Sequence, residues 1–139
     1  MPQIILNNNL IELEKLTLFL QNLGTRFNLS QKIIFELNLI LDELVTNVIT
    51  HGFTTTEKHE IKIIVNVLDN KIVIEMIDDA EAFNPLNFNI QSTNKSVSER
   101  KIGGLGIFIV KQKADELSYK RLKNKNHLYI VKYINKESK

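Results

Sequence analysis

Asp42-Glu43-Leu44-Val45-Thr46-Asn47-Val48-Ile49-Thr50-His51-Gly52 closes the most regular apolar pattern in the chain. Upstream of it Ser30 stands where an N-cap would, and Ile33, Ile34, Leu37, Leu41, Leu44 and Val48 recur on one side of a helix running toward Gly52. A spacing of four sets the Glu43 carboxylate and the Asn47 amide one turn apart, at the edge of the apolar stripe, so both can point into one cleft. Asn47 offers a neutral oxygen suited to Mg²⁺, a hard cation that keeps several waters and takes its other ligands from phosphates. Glu43 can accept a proton nearby. On spacing alone an ordinary polar helix face is the commoner explanation of the pair.

Working outward, the segment from about Leu10 to Phe27 places Leu10, Leu13, Leu16, Leu20 and Leu23 at helical spacing, after a short apolar stretch at Ile4 to Leu6. Downstream, Glu60 to Leu68 and Lys71 to Ile77 read as strands, with Asp69-Asn70 as the hairpin turn between them. From Pro85 to about Lys101 the chain is rich in Asn, Ser, Thr, Gln and Lys and reads as a mobile loop, closed by a glycine cluster. Beyond Gly106 a third helix takes in Ile107, Phe108, Val110, Ala114 and Leu117, and Tyr119 to Leu122 with His127 to Ile134 form a last pair of strands. The lysine-rich end reads as a solvated tail. The order is helix, helix, hairpin, loop, helix, hairpin, with no repeat and no compositional break, so residues 1–139 are expected to form one α+β domain. Antiparallel strands grouped this way argue for a two-layer sandwich whose sheet is covered by helices on one face.

Composition narrows the function. With 139 residues and 43% hydrophobic content the chain can bury a core of its own. It has no cysteine, which excludes thiol redox chemistry and thiolate metal ligation. The formal charge is +2, with basic and acidic residues interspersed, so no nucleic-acid footprint stands out. No apolar run approaches the roughly 18 residues of a membrane span, and the start lacks a basic leader before a long apolar core; a cytoplasmic protein is expected.

Two further stretches carry chemistry. Ile77-Asp78-Asp79-Ala80-Glu81-Ala82-Phe83-Asn84-Pro85 follows a strongly apolar strand. A carboxylate held there can accept a hydrogen bond from an exocyclic amine such as that of adenine, although acidic residues are also common strand terminators. Glu99-Arg100-Lys101-Ile102-Gly103-Gly104-Leu105-Gly106-Ile107 has glycines that free the backbone to approach an anion and a following helix with unpaired N–H groups. A flexible turn explains the glycines alone; the adjacent Arg100 and Lys101 favour phosphate. Neither a Walker-type Gly-Lys-Ser/Thr nor a dinucleotide GxGxxG is present.

Taken in this order, the three stretches resemble the Bergerat, or GHKL, ATPases. Glu43-x-x-x-Asn47 with His51-Gly52 looks like the asparagine box, Asp78 with Phe83-Asn84-Pro85 like the first glycine box, and Gly103-Gly104-Leu105-Gly106 like the second. The wording of the first and third is similar to the branch of stand-alone anti-sigma serine kinases, over about Leu10 to Ile134. Two positions depart from the pattern. Ala80 stands where a glycine is common, which alters close backbone approach to the nucleotide, and Tyr129 stands closest to the place of a threonine near the adenine.

The resemblance implies a Bergerat fold with three helices on one face of a mostly antiparallel mixed sheet. It further implies that ATP and Mg²⁺ are bound, with Asp78 on the adenine amine, Ala80 and Phe83 beside it, and Asn47 holding the metal. Gly103, Gly104, Leu105 and Gly106 would wrap the phosphates with Arg100 and Lys101 as charge partners, and Glu43 would be the general base. Residues 84–103 would act as a lid. The expected function is a serine/threonine-protein kinase that phosphorylates a small STAS-type anti-anti-sigma protein and also binds a sigma factor, as a homodimer, in a bacterial partner-switching system. The alternatives are a nucleotide-gated binding module without phosphoryl transfer and an ATPase module serving a separate histidine-containing protein. His51, His59 and His127 share no ligand-like spacing and read as structural or surface residues, His51 least clearly so.

Overall fold

The computed structural model describes residues 1–53, 57–87 and 104–134. Alternation of buried and half-exposed residues governs its sheet. On β2 (Glu60–Val67) the buried set is Ile61, Ile63 and Val65; on β3 (Lys71–Asp78) it is Ile72, Ile74 and Met76. Period-two burial means that one sheet face meets the core and the other does not. β1 (Gln3–Asn7), β4 (Glu116–Leu122) and β5 (Lys125–Tyr133) complete the sheet in the spatial order β1-β2-β3-β5-β4. All four pairings are antiparallel. The β4–β5 turn uses Lys123 and Asn124 at φ 50° and 62°, the left-handed pair that matches strand twist in a two-residue hairpin.

Three helices cover the buried face: α1 (Leu13–Phe27), α2 (Gln31–Asn47) and α3 (Gly104–Lys113). Leu16 and Leu20 of α1, Leu37, Ile40 and Leu41 of α2, and Ile107 and Val110 of α3 join the strand residues in a continuous core. Each such side chain stabilises the fold by about 1.5–3 kcal/mol through burial. As expected, the Ser30 hydroxyl accepts from the Ile33 N–H at 3.1 Å and starts α2. α1 stops at Asn28, whose left-handed backbone (φ 54°) turns the chain into α2. Beyond Asn47 the helix widens into a π-helical turn at Val48–Gly52.

Three elements differ from the sequence reading. Ile4 to Leu6 lies within an edge strand, β1, because β2 supplies its partners from Gln3↔Ile64 to Asn7↔Glu60. The third helix begins at Gly104 and ends at Lys113, so Leu117 belongs to β4 and packs on the core from the sheet. The last strand begins at Lys125, two residues before the expected start at His127. The expected lid, 84–103, lies outside the described residues except for 84–87. No helix among the described residues is long and apolar enough to cross a membrane.

α1 and α2 cross closely at Gly24, where a Cβ would fall 2.8 Å from Ile34 Cγ1. Gly24→Ala is therefore expected to destabilise the protein by about 1–3 kcal/mol in chemical denaturation. Ile34→Ala in the same chain should relieve the overlap, so that the double variant loses less than the sum of the two single changes.

Candidate functional site

The alternation that buries Ile72, Ile74 and Met76 also carries Asp78 onto the covered face at the end of β3, where it is 3% exposed. An ionised carboxylate there is costly unless it is hydrogen-bonded. The β3–β5 register sets Asn126 opposite Asp78. Asn126 Nδ2 donates to Asp78 Oδ1 at 2.9 Å, and the Ala80 N–H donates to the same oxygen at 3.0 Å. Asn126 Nδ2 also reaches the Glu81 carbonyl at 2.9 Å, while its Oδ1 accepts from the Tyr119 hydroxyl at 2.5 Å and the Arg121 guanidinium at 3.0 Å. Arg121 in turn donates to the Ala80 carbonyl at 2.8 Å. Because arginine only donates, the orientation of the Asn126 amide is fixed.

Asp78 Oδ2 receives no hydrogen bond among the described residues. Burial pushes the Asp78 pKa up; the hydrogen bonds from Asn126 and Ala80 pull it back, the Asp79 charge adds to the rise and Arg121 opposes it.

Asp78 lines a cavity of about 220 Å³ between the sheet and the helices. Leu44, Asn47, Val48, His51 and Gly52 form one wall, Met76 and Leu128 come from the sheet, Ile107 comes from α3, and Phe83 and Pro85 follow β3. A mainly apolar slot with a few convergent polar groups suits a flat heteroaromatic ring with polar edges. The π-helical turn belongs to this wall and closes on the segment after β3: a Cβ on Gly52 would lie 3.0 Å from the Ala80 Cβ, and the Glu81 N–H donates to the Gly52 carbonyl at 3.1 Å. Gly52 thus makes room for the methyl group that Ala80 carries.

Asn47 lines the cavity, and its Nδ2 is buried without a hydrogen-bond partner among the described residues. An orphaned buried amide is unfavourable by about 1–3 kcal/mol until something binds it. It fits a site completed by a ligand, and an amide oxygen is among the groups that ligate Mg²⁺. Glu43, one turn earlier, does not line the cavity. It packs against the first turn of α3, where a Cβ on Gly106 would fall 2.4 Å from Glu43 Oε2. Gly104, Leu105 and Gly106 form that turn, whereas Arg100, Lys101 and Gly103 lie outside the described residues.

The structure therefore brings Asn47, Asp78, Ala80 and Phe83 together, with Glu43 and Gly106 adjoining. Tyr129 is corrected: its cross-strand neighbours are Glu75 and Ser118, on the sheet face away from the cavity. Asn126, three residues earlier, lines the cavity. His51 lines the cavity, while His59 bonds Asp79 at 3.2 Å and stacks on Phe53, and His127 bonds Glu75 at 2.9 Å. Among the described residues no group of three His, Cys, Asp or Glu side chains is placed to hold a metal.

The raised Asp78 pKa has a stability consequence. The group's contribution is fully present below its ordinary value of 3.8 and is lost as pH rises through the higher folded-state value. Asp78→Asn keeps the acceptor for Asn126 and Ala80 and removes the charge, so it is expected to raise the melting temperature at neutral pH. The difference from wild type should shrink on acidification; thermal melts that show a constant difference would contradict this account.

Residues 6–132 match the family profile of the histidine kinase-like ATPase domain. The chain is 24% identical over 120 residues to the serine/threonine-protein kinase BtrW of Bordetella bronchiseptica, covering 86% of this chain and 84% of that protein. It is 25% identical over 126 residues to the serine-protein kinase RsbW of Oceanobacillus iheyensis, covering 86% and 78%. To RsbW of Listeria innocua it is 23% identical over 104 residues, covering 72% and 66%. The profile spans both walls of the cavity, from α2 through β3 to β5, and on that match the chain belongs to the histidine kinase-like ATPase domain family.

Proposed function

We propose that this chain is an ATP-dependent serine/threonine-protein kinase that phosphorylates a small STAS-type anti-anti-sigma protein and also binds a sigma factor, as a homodimer. The observation that carries the nucleotide reading is the buried Asp78 carboxylate, which lines the cavity and is held through Oδ1 by Asn126 and Ala80. An adenine N6–H fits that acceptor, and the apolar wall of Leu44, Met76 and Leu128 fits the ring face. The kinase reading is supported by relatives named serine or serine/threonine kinases and by Glu43 beside the amino end of α3.

Phosphoryl transfer requires mostly positioning and charge neutralisation. Asn47 is the residue that would hold Mg²⁺, and the ion when bound would neutralise phosphate charge. The first turn of α3 offers backbone N–H groups and the positive end of the helix dipole to the phosphates, and Gly106 lets Glu43 pack against that turn. Arg100, Lys101 and Gly103 join this role on the strength of their sequence motif. Glu43 accepts the proton of the attacking serine or threonine hydroxyl at a carboxylate oxygen.

One observation favours the second reading, a nucleotide-gated binding module without transfer: Glu43 packs on Gly106 instead of lining the cavity.

Calorimetric titration is expected to show Mg²⁺-dependent ATP binding that Asn47→Ala abolishes; no binding with or without Mg²⁺ would remove the nucleotide reading. With a phosphorylatable partner, Glu43→Gln should retain ATP binding and lose transfer by about 10²–10⁴-fold. Transfer at the wild-type rate would discard Glu43 as base, and labelled ATP that never marks the partner would favour the binding module.

A further inference from the structure

We propose that Lys132 is a positioning residue for the phosphate end of the site, acting through α3; the inference rests on the nucleotide reading above. Alternation on β5 places Lys132 on the covered sheet face, where it is 9% exposed. Its ammonium donates to the carbonyl of Lys113, the last residue of α3, at 2.7 Å and pairs with Glu36 Oε1 at 3.1 Å. The second Glu36 oxygen lies 3.7 Å from the Lys113 ammonium, and Glu36 itself is 8% exposed. One buried cation thus caps the carboxyl end of α3, where the unpaired carbonyls and the helix dipole favour positive charge, and ties that end to α2. An apolar pair of similar volume would often serve stability as well or better, so stability alone does not account for a buried lysine and glutamate here.

The geometry of α2 does account for them. At about 3.6 residues per turn, Glu36, Ile40, Glu43 and Asn47 fall along one stripe of that helix. α3 runs antiparallel to it and touches it near both ends, Lys113 at Glu36 and Gly106 at Glu43. A slip of α3 by one residue would move its first turn about 1.5 Å along Glu43 and Asn47. Errors of about 1 Å in placing reacting groups are enough to cost about 10²-fold in rate. The adenine end is fixed separately, by Asp78 and Asn126 on β3 and β5. Release of the tether is therefore expected to weaken contacts to the terminal phosphates and to leave those to the base unchanged.

The test compares wild type, Lys132→Met, Lys132→Arg and the double variant Glu36→Leu with Lys132→Met, the last avoiding a buried carboxylate stripped of its main partner. In titrations with Mg²⁺, the Kd for ATP should rise at least tenfold in Lys132→Met and in the double variant, while that for AMP stays within about twofold. Lys132→Arg should restore most of the ATP affinity. A folded double variant with wild-type ATP affinity, or one in which ATP and AMP weaken together, overturns the proposal. Hydrogen exchange on the nucleotide-free protein adds a readout that needs no ligand. α3 amides should exchange at least tenfold faster in Lys132→Met with β2 and β3 unchanged, and unaltered α3 protection overturns the tether. Wild type that binds neither nucleotide refutes the nucleotide reading, and the phosphate-positioning role falls with it.

Discussion

The burial of one carboxylate organises this chain. Asp78 arrives on the covered sheet face because strand alternation leaves it no other side, and a charge there must be met by donors. Asn126 meets it from β5, the Ala80 N–H meets it from the segment after β3, and Tyr119 and Arg121 hold Asn126 from β4. Three strands and the connection toward the cavity are thereby locked around the Asp78–Asn126 pair. Networks of this kind are rigid when every member is satisfied and costly when one is missing. Asp78 itself lines the cavity. A destabilising residue retained at such a place is the familiar signature of a working site within an otherwise self-consistent fold.

What the sequence made legible follows from the range of the interactions involved. α2 was legible because its apolar positions repeat over several turns and Ser30 supplies a local cap. β2 and β3 were legible because alternation and the Asp69-Asn70 turn lie within one short stretch. β1 was not, since Ile4 to Leu6 is too short to carry a pattern and is a strand only by virtue of pairing with β2. Asn126 was missed for a related reason. Leu122-Lys123-Asn124-Lys125-Asn126 reads locally as a polar turn, and only the register against β3 shows that Asn126 faces inward while Tyr129 faces out. Asn47 and Asp78 could be named from motif wording. The contact of Glu43 with Gly106 could not, because it is decided by how two helices pack.

α2 serves the core and the cavity at once. Leu37, Ile40 and Leu41 fill the interior, while Glu36 and Glu43 meet α3 and Asn47 lines the pocket. The π-helical turn that follows brings His51 and Gly52 into the same wall, and the pairing of Gly52 with Ala80 shows how an added methyl group is absorbed by a neighbour without closing the slot. The site is thus assembled on regular elements whose spacing is set by packing, which favours a pocket largely formed before its ligand arrives.

The pairing of Asp78 with Asn126 joins residues 48 positions apart, whereas the β2–β3 and β4–β5 hairpins close locally. Loop-closure entropy makes such long-range pairing slow compared with hairpin formation. The cavity that Asp78 lines is therefore among the last features to appear as the chain folds. A small molecule that recognises it distinguishes finished molecules from partly folded ones, and by mass action draws the population toward the finished state. Occupancy of this pocket would then also act as a check on the quality of each newly made copy.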